Sequence, residues 1–505
     1  MVLRRGKLLL LFTQCSVTAS SVRCTPIPTH AYYTVNHLVY VVVTGGAGTG
    51  KSYVATAITS ALRAVHGDDA VAVTAPTGVA AMNIQGVTLV RFIGGRKRAS
   101  ASLDLRIILK EEDGSDSDSD NEDDEVEMLE EHYLPVFSTA VEERMKKLKV
   151  LIIDEISMCS DHMFQLLNYV LHFYRRKMPH IQVVLIGDFA QLPPVVPQKS
   201  MLAQAIREGK FRHYLFESVV WNRLGLVQIE LTVCKRTKHK EYIRILGMIR
   251  EGVSLDHNTM TKLKSLTRQS RDGIQIAIFS RRHSVNAWNE EQTMAMDDNI
   301  RLYHAKDKPS QCGFVPKRLL AQSLRLKPQM PIMSLINKDS YANGTIMILD
   351  EFFVDRVHAI QTNKDGEQRQ VNIGTFTDKS LAPRKSGGPK RYGSRTQLPI
   401  RPSFGFTVHK SQGKTICDPF LVECDFYDSG QAYVALSRAA DPSLMYLDKL
   451  TTHCQILLDD AVRNFHQRLR SCKLAWFVPS ELRSEDERLA EELDLRMAKK
   501  RAFGF

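Results

Sequence analysis

The sequence has no long apolar run and no paired-cysteine pattern. None of its apolar stretches approaches the 18 or so residues that a membrane-spanning helix needs, which excludes a membrane span. Its nine cysteines are scattered without a CxxC pair. This spacing argues against a zinc module or a disulfide framework and favours a reducing compartment. At 505 residues, 43% of them hydrophobic and 25% charged, the chain has the composition of a globular protein with about two to four domains.

Acidic residues are missing from the start of the chain, where the first is Asp68. The basic residues near the start are Arg4, Arg5, Lys7 and Arg23. A leader that is basic, rich in Ser and poor in acid resembles a mitochondrial presequence. A secretory signal, suggested by the short apolar run 8–12, and a disordered arm are the alternatives. We expect residues 1–33 to be a leader or arm and the protein to be mitochondrial, with the nucleus as the alternative location.

The charge is distributed unevenly along the chain. The net charge is +12, but residues 111–131 carry thirteen acidic side chains and no basic one, so the remaining chain carries +25. A body this basic points to a polyanionic partner such as nucleic acid, although scattered surface charge would give the same total. The acidic segment cannot bury apolar surface, and we expect a disordered insert. Alternatives are competition with nucleic acid for a basic groove, or phosphorylation of Ser115, Ser117 and Ser119.

Residues 45–52 read GGAGTGKS and match the GxxxxGK[ST] phosphate loop. The apolar run 38–43 precedes the loop, and residues 53–58 can continue it as a helix. In this context backbone N–H groups point at phosphates, and glycine lets the backbone approach the anion. Lys51 is then expected to reach the β- and γ-phosphates and the Ser52 hydroxyl to bind Mg²⁺. The predicted ATP-binding residues are Gly45, Gly46, Ala47, Gly48, Thr49, Gly50, Lys51 and Ser52. A glycine-rich turn that merely contains a lysine is the alternative.

Two further apolar strands end in polar residues. The run 148–153 leads to Asp154 and Glu155, suited to hold Mg²⁺ and to orient or deprotonate the attacking water. The run 181–186 leads to the segment 187–195, in which a polar amide can sense the γ-phosphate. The helical pattern 161–176 separates the two runs. This order predicts a doubly wound α/β domain that binds its ligand at the carboxyl edge of a parallel sheet and hydrolyses it.

The second half of the chain contains no second phosphate loop. The polar segment 404–415 lies between apolar stretches, and an arginine follows the run 433–437. An arginine at the edge of such an element can stabilise the charge of a transferring phosphoryl group. We therefore expect ATP to bind at an interface between two α/β domains. Residues 364–401, rich in Gly, Lys, Arg and Ser, are expected to form a long loop within a small β-rich insert.

Six motifs together resemble the Pif family of ATP-dependent DNA helicases, in the Pif/RecD-like, type B branch of helicase superfamily one. They occur in the family's order across residues 38–450. The motifs are GGAGTGKS at 45, TAPTGVAA at 74, LIIDEISM at 151, GDFAQLPPV at 187, FGFTVHKSQGKT at 404 and YVALSRA at 433. The resemblance implies an α/β fold with two RecA-like doubly wound parallel-sheet domains of the P-loop NTPase type and a small SH3-like β insert in the second.

The resemblance also implies roles for individual residues. It makes Glu155 the activator of water, Gln191 the γ-phosphate sensor, and Arg236 and Arg438 arginine fingers. It adds Gly413 to the ATP site and makes Ser52 and Asp154 ligands of Mg²⁺. The residues that it places in contact with single-stranded DNA are Thr77, Gly78, Thr88, His409, Lys410 and Tyr433. The chain departs from the family's pattern at Val90 in place of a His, at Lys235 and Thr237 beside Arg236, and at Ile346 in place of a Gly, and it has no glutamine motif before Leu38.

The implied domains are a first RecA-like domain over 34–230 and a second over 231–340 and 401–470, in which 431–450 is the DNA-proximal segment. The SH3-like insert covers 341–400, and a charged helical tail covers 471–505. The implied function is a monomeric, ATP-dependent and Mg²⁺-dependent helicase that moves 5′→3′ on single-stranded DNA. It would open forks in replication, repair or recombination. The alternatives are an ATP-gated single-stranded nucleic-acid binding factor without robust unwinding and an RNA helicase of the Upf-like branch.

Overall fold

The computed structural model of the protein describes residues 22–24, 39–94, 139–175, 181–196, 200–209, 211–223, 226–296, 300–310, 314–316, 319–338, 340–362, 366–381, 392–451 and 456–471. The chain divides into two compact units. Unit 1 comprises residues 1–238, 250–252 and 458–505, and unit 2 comprises 239–249 and 253–457. The acidic insert 111–131, most of the leader and all but the first residue of the tail 471–505 lie outside the described residues, so the predictions for them stay predictions.

Unit 1 contains a seven-stranded sheet in the order β1-β7-β2-β6-β5-β3-β4. Its strands are β1 (Val22–Cys24), β2 (Val39–Gly45), β3 (Val71–Ala75), β4 (Val87–Thr88), β5 (Val150–Ile153), β6 (Gln182–Gly187) and β7 (Val227–Leu231). Every neighbouring pair is parallel except β1 with β7. Strand β5 is apolar and buried at all four positions, a pattern typical of a parallel sheet covered on both faces.

Helices cover both faces of this sheet, as a doubly wound fold requires. The helices of unit 1 are α1 (Lys51–His66), α2 (Gly78–Asn83), α3 (Leu89–Phe92), α4 (Thr139–Lys147), α5 (Asp161–Arg175), α6 (Met201–Arg207) and α7 (Val219–Arg223). Val41 of β2 shares an apolar cluster with Ile58 of α1. The preceding residue, Tyr40, faces the other way and meets Phe164 of α5 with ring centroids 6.2 Å apart. The predicted helical pattern 161–176 is thus confirmed as α5.

Unit 2 has its own parallel sheet, in the order β19-β8-β20-β21. The strands are β8 (Ile276–Phe279), β19 (Gly405–Thr407), β20 (Phe420–Glu423) and β21 (Met445–Asp448). The helices of unit 2 are α8 (Lys240–Arg250), whose last residue belongs to unit 1, then α9 (His257–Leu266), α10 (Arg282–Ala295), α11 (Val408–Ser411) and α12 (Gln431–Leu436). Two parallel-sheet α/β units confirm the predicted fold class.

A β-rich region occupies the middle of unit 2. It contains a five-stranded antiparallel sheet in the order β15-β14-β13-β12-β18, with smaller sheets β10-β17-β16 and β11-β9 beside it. Its strands are β9 (Arg301–His304), β10 (Lys306–Lys308), β11 (Ser323–Leu326), β12 (Pro331–Ser334), β13 (Ile346–Phe352), β14 (Arg356–Thr362), β15 (Gln368–Gly374), β16 (Phe376–Leu381), β17 (Tyr392–Gln397) and β18 (Ile400–Pro402). The SH3-like character of the insert stays a prediction.

The expectation of a long loop over 364–401 was wrong, because β15, β16, β17 and the start of β18 lie in this range. The physical reason is the alternation within β15. Val371 and Ile373 are buried, whereas the polar residues Gln370 and Asn372 beside them are exposed. One face of a half-buried strand is polar, so the overall composition resembled that of a loop.

A helix that follows unit 2 in the chain packs within unit 1. The helix α13 (Asp460–Ser471) belongs to unit 1, so its predicted place in the second domain is wrong. Its Phe465 stacks on Phe216 at 4.6 Å and meets Phe189 edge-on at 5.1 Å. These tertiary contacts join residues far apart in the chain and leave no local signal. No helix within the described ranges is both long and apolar enough to cross a membrane.

Candidate nucleotide and nucleic-acid sites

Three polar segments of unit 1 follow the carboxyl ends of neighbouring strands. Strand β6 lies between β2 and β5, and the register pairs Thr44 with Gly187 and Ile153 with Leu185. The phosphate loop after β2, the acidic pair after β5 and the segment after β6 therefore start at one edge of one sheet. This edge is where open α/β sheets bind ligands.

The phosphate loop turns tightly between β2 and α1. Gly45 has φ of 153°, and a Cβ there would lie 2.6 Å from the Leu231 carbonyl oxygen. Gly48 has φ of 75°, and a Cβ there would lie 2.5 Å from the Cβ of Arg236. Both positions need glycine for conformation and for space. The Thr49 hydroxyl donates to the Gly46 carbonyl at 2.8 Å and closes the turn from within.

Lys51 begins α1 and is held by the loop itself. Its ammonium donates to the carbonyl oxygens of Gly45 at 2.7 Å and Gly46 at 3.0 Å. Burial lowers the pKa of Lys51, and the negative charges of Asp188, Glu155 and Asp154 act in the opposite direction. The loop thus presents a partly desolvated cation at the amino end of a 16-residue helix, an arrangement suited to a phosphate.

The acidic pair after β5 has an unusual backbone. Asp154 is 4% exposed, and its carboxylate accepts a hydrogen bond from the Glu155 backbone N–H at 2.8 Å. Glu155 adopts a left-handed conformation with φ of 51°. Left-handed non-glycine residues cost free energy and occur often at functional sites. The turn carries the Glu155 side chain beyond the end of β5.

The oxygen donors at this edge suit Mg²⁺. They are the Ser52 hydroxyl, which directly follows Lys51, and the Asp154 carboxylate. In the part of the chain that the structure describes, no group of three or more His, Cys, Asp or Glu side chains is arranged to hold a metal alone. Mg²⁺ needs no such group, because it keeps several waters and binds one or two protein oxygens together with nucleotide phosphates. Ser52 and Asp154 are the residues that would hold it, where it would neutralise charge on the phosphates.

The segment after β6 is deeply buried. Gln191 is 4% exposed, and its backbone N–H donates to the Asp188 carbonyl at 2.9 Å. Leu192 is fully buried, and Phe189 is in contact with the aromatic residues of α13. Gln191 therefore lies in a buried turn at the carboxyl edge of the sheet, where the ligand is predicted to bind. Its role as a γ-phosphate sensor stays a prediction.

Arg236 lies against the phosphate loop. The backbone N–H groups of Lys235 and Arg236 donate to the Gly48 carbonyl at 2.7 and 3.2 Å. The Cys234 thiol is 3.8 Å from the Ala47 carbonyl. The segment that contains the predicted arginine finger is thus attached to the loop through its backbone.

The predicted DNA contacts of unit 1 are at helix starts. Thr77 caps α2, where its hydroxyl accepts from the Ala80 N–H at 3.3 Å, and Gly78 is the first residue of that helix. Thr88 caps α3 in the same way through the Arg91 N–H at 3.4 Å. These capping bonds give both threonines a structural role, and their DNA contacts stay predictions.

Arg438 is buried within unit 2 at 1% exposure. Its guanidinium donates to the carbonyls of Val434 at 2.7 Å and Lys414 at 3.0 Å, and to the Ser437 hydroxyl at 2.8 Å. Tyr433, a predicted DNA contact, is only 4% exposed. Gly413 is exposed, with φ of 78° in the turn before Lys414. The predicted roles of Arg438, Tyr433 and Gly413 stay predictions.

Unit 2 concentrates positive charge around α11. Lys410 donates to the Asn343 side-chain oxygen at 3.1 Å, and burial together with Arg401 and Arg282 lowers the pKa of Lys410. Lys414 lies over the ring of Phe406 at 5.1 Å. Burial and the neighbouring Lys410 lower the pKa of Lys414 to about 8.

Arg282 and Arg401 also belong to this basic cluster, although they were not predicted as site residues from the sequence. Burial and Arg282 lower the pKa of Arg401. The Nε of Arg401 is buried and has no hydrogen-bond partner among the residues that the structure describes. The basic cluster is defined here as Arg282, Arg401, Lys410 and Lys414, with His409 beside it. Mutually repelling cations with an unsatisfied donor favour an anionic ligand.

Comparison with known proteins supports the motif assignment. The family model described as an AAA domain matches residues 30–197. The chain is 28% identical over 485 residues to the ATP-dependent DNA helicase PIF7 of Trypanosoma brucei, covering 82% of this chain and 45% of that protein. It is 29% identical over 412 residues to the ATP-dependent DNA helicase PIF1 of Danio rerio, covering 78% of this chain and 56% of that protein. The chain thus spans about half the length of these curated relatives.

Solved structures agree on the fold. The crystal structure of the Pif1 helicase from Candida albicans matches with a TM-score of 0.67 and 24% identity, covering 94% of this chain and all of that one. The structure of Bacteroides Pif1 bound to single-stranded DNA matches with a TM-score of 0.67 and 24% identity, covering 93% and 98%. These solved structures confirm the predicted α/β fold, and the curated relatives show that the chain is similar to Pif-family helicases.

Proposed function

We propose that this Pif-family chain is an ATP-dependent DNA helicase that moves along single-stranded DNA and separates duplexes. The main support for the proposal is the set of residues at one edge of the sheet of unit 1. There a phosphate loop, an Asp-Glu pair and a glutamine-bearing turn follow three adjacent parallel strands. This set of groups supplies phosphate binding, metal binding and water activation for hydrolysis of a nucleoside triphosphate.

The roles at this edge follow from the chemistry of the side chains. Lys51 would bind the β- and γ-phosphates, and Ser52 with Asp154 would hold Mg²⁺. Glu155 would accept a proton from the attacking water, and Gln191 would register the γ-phosphate. Arg236, next to the loop, and Arg438 would stabilise charge on the transferring phosphoryl group.

The basic cluster of unit 2 supports nucleic acid as the second ligand. Three of its cations, Arg401, Lys410 and Lys414, are partly desolvated, and each lies near another cation, a cost that a row of phosphates would relieve. Backbone phosphates carry no base information, so binding through this cluster would be independent of sequence and sensitive to salt. DNA is favoured over RNA because the curated relatives reported above are named DNA helicases.

The finer features of the function rest on the resemblance to the family. These are 5′→3′ polarity, action as a monomer at forks, and a place in replication, repair or recombination. A mitochondrial location, with the nucleus as the alternative, is proposed from the basic and acid-poor leader.

Strand displacement by the purified full chain tests the proposal. Duplexes with a 5′ or a 3′ single-stranded tail are mixed with protein, ATP and Mg²⁺, with Lys51→Ala as the inactive control. We expect displacement from the 5′-tailed duplex only, and none by the control. ATP turnover without displacement from either substrate would instead favour a nucleic-acid binding factor. Stronger stimulation of the ATPase by RNA than by DNA would favour the RNA helicase alternative.

A further inference from the structure

A buried charge group lies behind the phosphate site in unit 1. Asp188, which directly follows β6, has 0% exposure, and Glu230 of β7 has 5%. Arg250, at the end of α8, has 7%, and His466 of α13 has 1%. Charged side chains this buried need partners. The proposed reaction assigns none of the four a role.

Arg250 is the main partner of Asp188. Its Nη2 lies 3.0 Å from Asp188 Oδ1, and its Nε lies 3.3 Å from both carboxylate oxygens. Its Nη1 also donates to Glu230 Oε1 at 3.3 Å. His466 Nε2 is 4.0 Å from Asp188 Oδ1, and the Ala190 N–H donates to the same oxygen at 3.3 Å. One guanidinium thus holds two buried carboxylates.

Lys51 is the other strong cation close to Asp188. Burial lowers the pKa of Lys51, and among the charges that oppose this effect Asp188 is the largest. Burial alone would raise the pKa of Asp188, but Arg250, Lys51 and His466 together lower it. In the structure the Lys51 ammonium nevertheless donates to the loop carbonyls of Gly45 and Gly46. Two cations thus share one buried carboxylate, and Arg250 makes the direct contacts.

We propose that Arg250 is a positioning residue of the phosphate site: by pairing with Asp188 it leaves the Lys51 ammonium in the phosphate loop, where it can bind the nucleotide. The proposal deepens the proposed function and rests on it. It assigns a task to a residue outside the six motifs that were recognised in the sequence.

The consequence of losing Arg250 follows from the cost of an unpaired buried charge. Without the guanidinium, Asp188 would be a buried carboxylate beside a flexible lysine. Removing one partner of a buried pair is costly because the other charge stays desolvated. Lys51 can lower that cost by turning away from Gly45 and Gly46 toward Asp188. Nucleotide binding would then require Lys51 to leave Asp188, which costs free energy. ATP affinity should therefore fall while the chemical step is largely retained.

The test measures binding of a fluorescent, non-hydrolysable ATP analogue to the full chain with Mg²⁺ and without DNA. Arg250→Met should weaken binding about 10- to 100-fold, the range typical of residues that hold a ligand-binding group in place. Its kcat at saturating ATP should stay within about threefold of wild type. Arg244→Met is the matched control, since Arg244 lies on the same helix but its side chain is 53% exposed and its ion pair is with Glu241 of that helix.

A double variant separates positioning from general destabilisation. Asp188→Asn combined with Arg250→Met removes both charges, and we expect affinity to return to within about threefold of wild type even if the melting temperature stays low. Wild-type affinity in Arg250→Met would overturn the proposal. A double variant as weak as Arg250→Met would also overturn it, because the effect would then not pass through the Asp188 charge.

A single variant decides the matter if Arg250→Met does not fold. Asp188→Asn keeps the shape of the side chain and removes the carboxylate that competes for Lys51, so its affinity should equal or exceed that of wild type. Affinity more than about tenfold weaker would overturn the proposal. A wild-type protein that fails to bind or hydrolyse ATP would instead defeat the proposed function itself.

Discussion

Charged side chains are arranged differently in the two units. In unit 1 the charges behind the phosphate loop are paired, because Arg250 joins Asp188 and Glu230 in one buried group. In unit 2 burial lowers the pKa of Arg401, Lys410 and Lys414, and a neighbouring cation lowers each pKa further. A buried nitrogen of Arg401 has no hydrogen-bond partner among the described residues. The first arrangement pairs its charges within the protein, whereas the second leaves positive charge that an anionic ligand would neutralise.

This difference fits two kinds of ligand. A nucleotide needs a few groups held in a fixed geometry, and pairing fixes them. A nucleic-acid strand supplies a row of charges with little demand on geometry, and clustered cations bind it through counterion release. The contrast predicts that variants at the phosphate-binding edge of unit 1 affect ATP chemistry, whereas variants in the basic cluster affect binding of the strand.

The largest effect is expected from Glu155→Gln. Loss of the proton acceptor should lower kcat for ATP hydrolysis about 10²- to 10⁴-fold, while ATP and single-stranded DNA still bind. Steady-state hydrolysis and fluorescence anisotropy measure the two properties. Glu143→Gln, an exposed glutamate of α4, is the control and should behave as wild type. Loss of DNA binding in Glu155→Gln would contradict the separation of the two regions.

Lys51→Ala should lower ATP hydrolysis about 10²- to 10³-fold, because one charged donor to the phosphates is removed. The same assay serves, with thermal melting to establish that the variant folds. Lys147→Ala removes a lysine that is 62% exposed and pairs only with Asp69 among the described residues, so its rate should be unchanged. Hydrolysis near the wild-type rate in Lys51→Ala would remove this loop from the ATP site.

A pH dependence should distinguish the basic cluster. Burial and Lys410 lower the pKa of Lys414 to about 8, so its ammonium loses its proton as the pH rises through 8. Phosphates bind the protonated form, and affinity for single-stranded DNA should fall up to about tenfold between pH 7 and pH 9. Lys414→Arg keeps the charge over this range and should flatten the profile. An equally steep profile in that variant would rule out Lys414 as the titrating group.

The smallest effect is expected from Arg401→Met. If Arg401 contacts one phosphate, its loss should weaken single-stranded DNA about fivefold at 0.1 M salt and lower the salt slope by about 0.7. ATP binding without DNA should not change. Arg325→Met, which removes an exposed arginine paired with Glu290, is the control. An unchanged salt slope in Arg401→Met would place Arg401 outside the strand's path.

The ligand-binding edge of unit 1 could be predicted from the sequence because its evidence is local. Each segment combines an apolar run with the polar residue that follows it, as in Ile153 and Asp154, and parallel strands bring those ends to one edge. The left-handed backbone at Glu155 has no comparable signal. Its residue type does not favour that conformation, and only the surrounding structure imposes it.

The features that were missed depend on distant parts of the chain. Arg250 pairs with a carboxylate 62 positions earlier in the chain. Arg282 is the first residue of α10, whereas Arg401 lies in β18. The place of α13 depends on Phe465 meeting Phe189 and Phe216. A polar residue in an amphipathic helix carries no mark of its partner, so such pairs emerge only from the tertiary fold.

Under the proposed function, a DNA strand bound at the basic cluster stimulates ATP hydrolysis in unit 1. The most direct measurement is the steady-state ATPase rate of the full chain as single-stranded DNA is titrated at constant salt and saturating ATP. We expect a saturable rise in rate, and Arg401→Met should need more DNA to reach the same plateau. A rate that does not respond to DNA would contradict it.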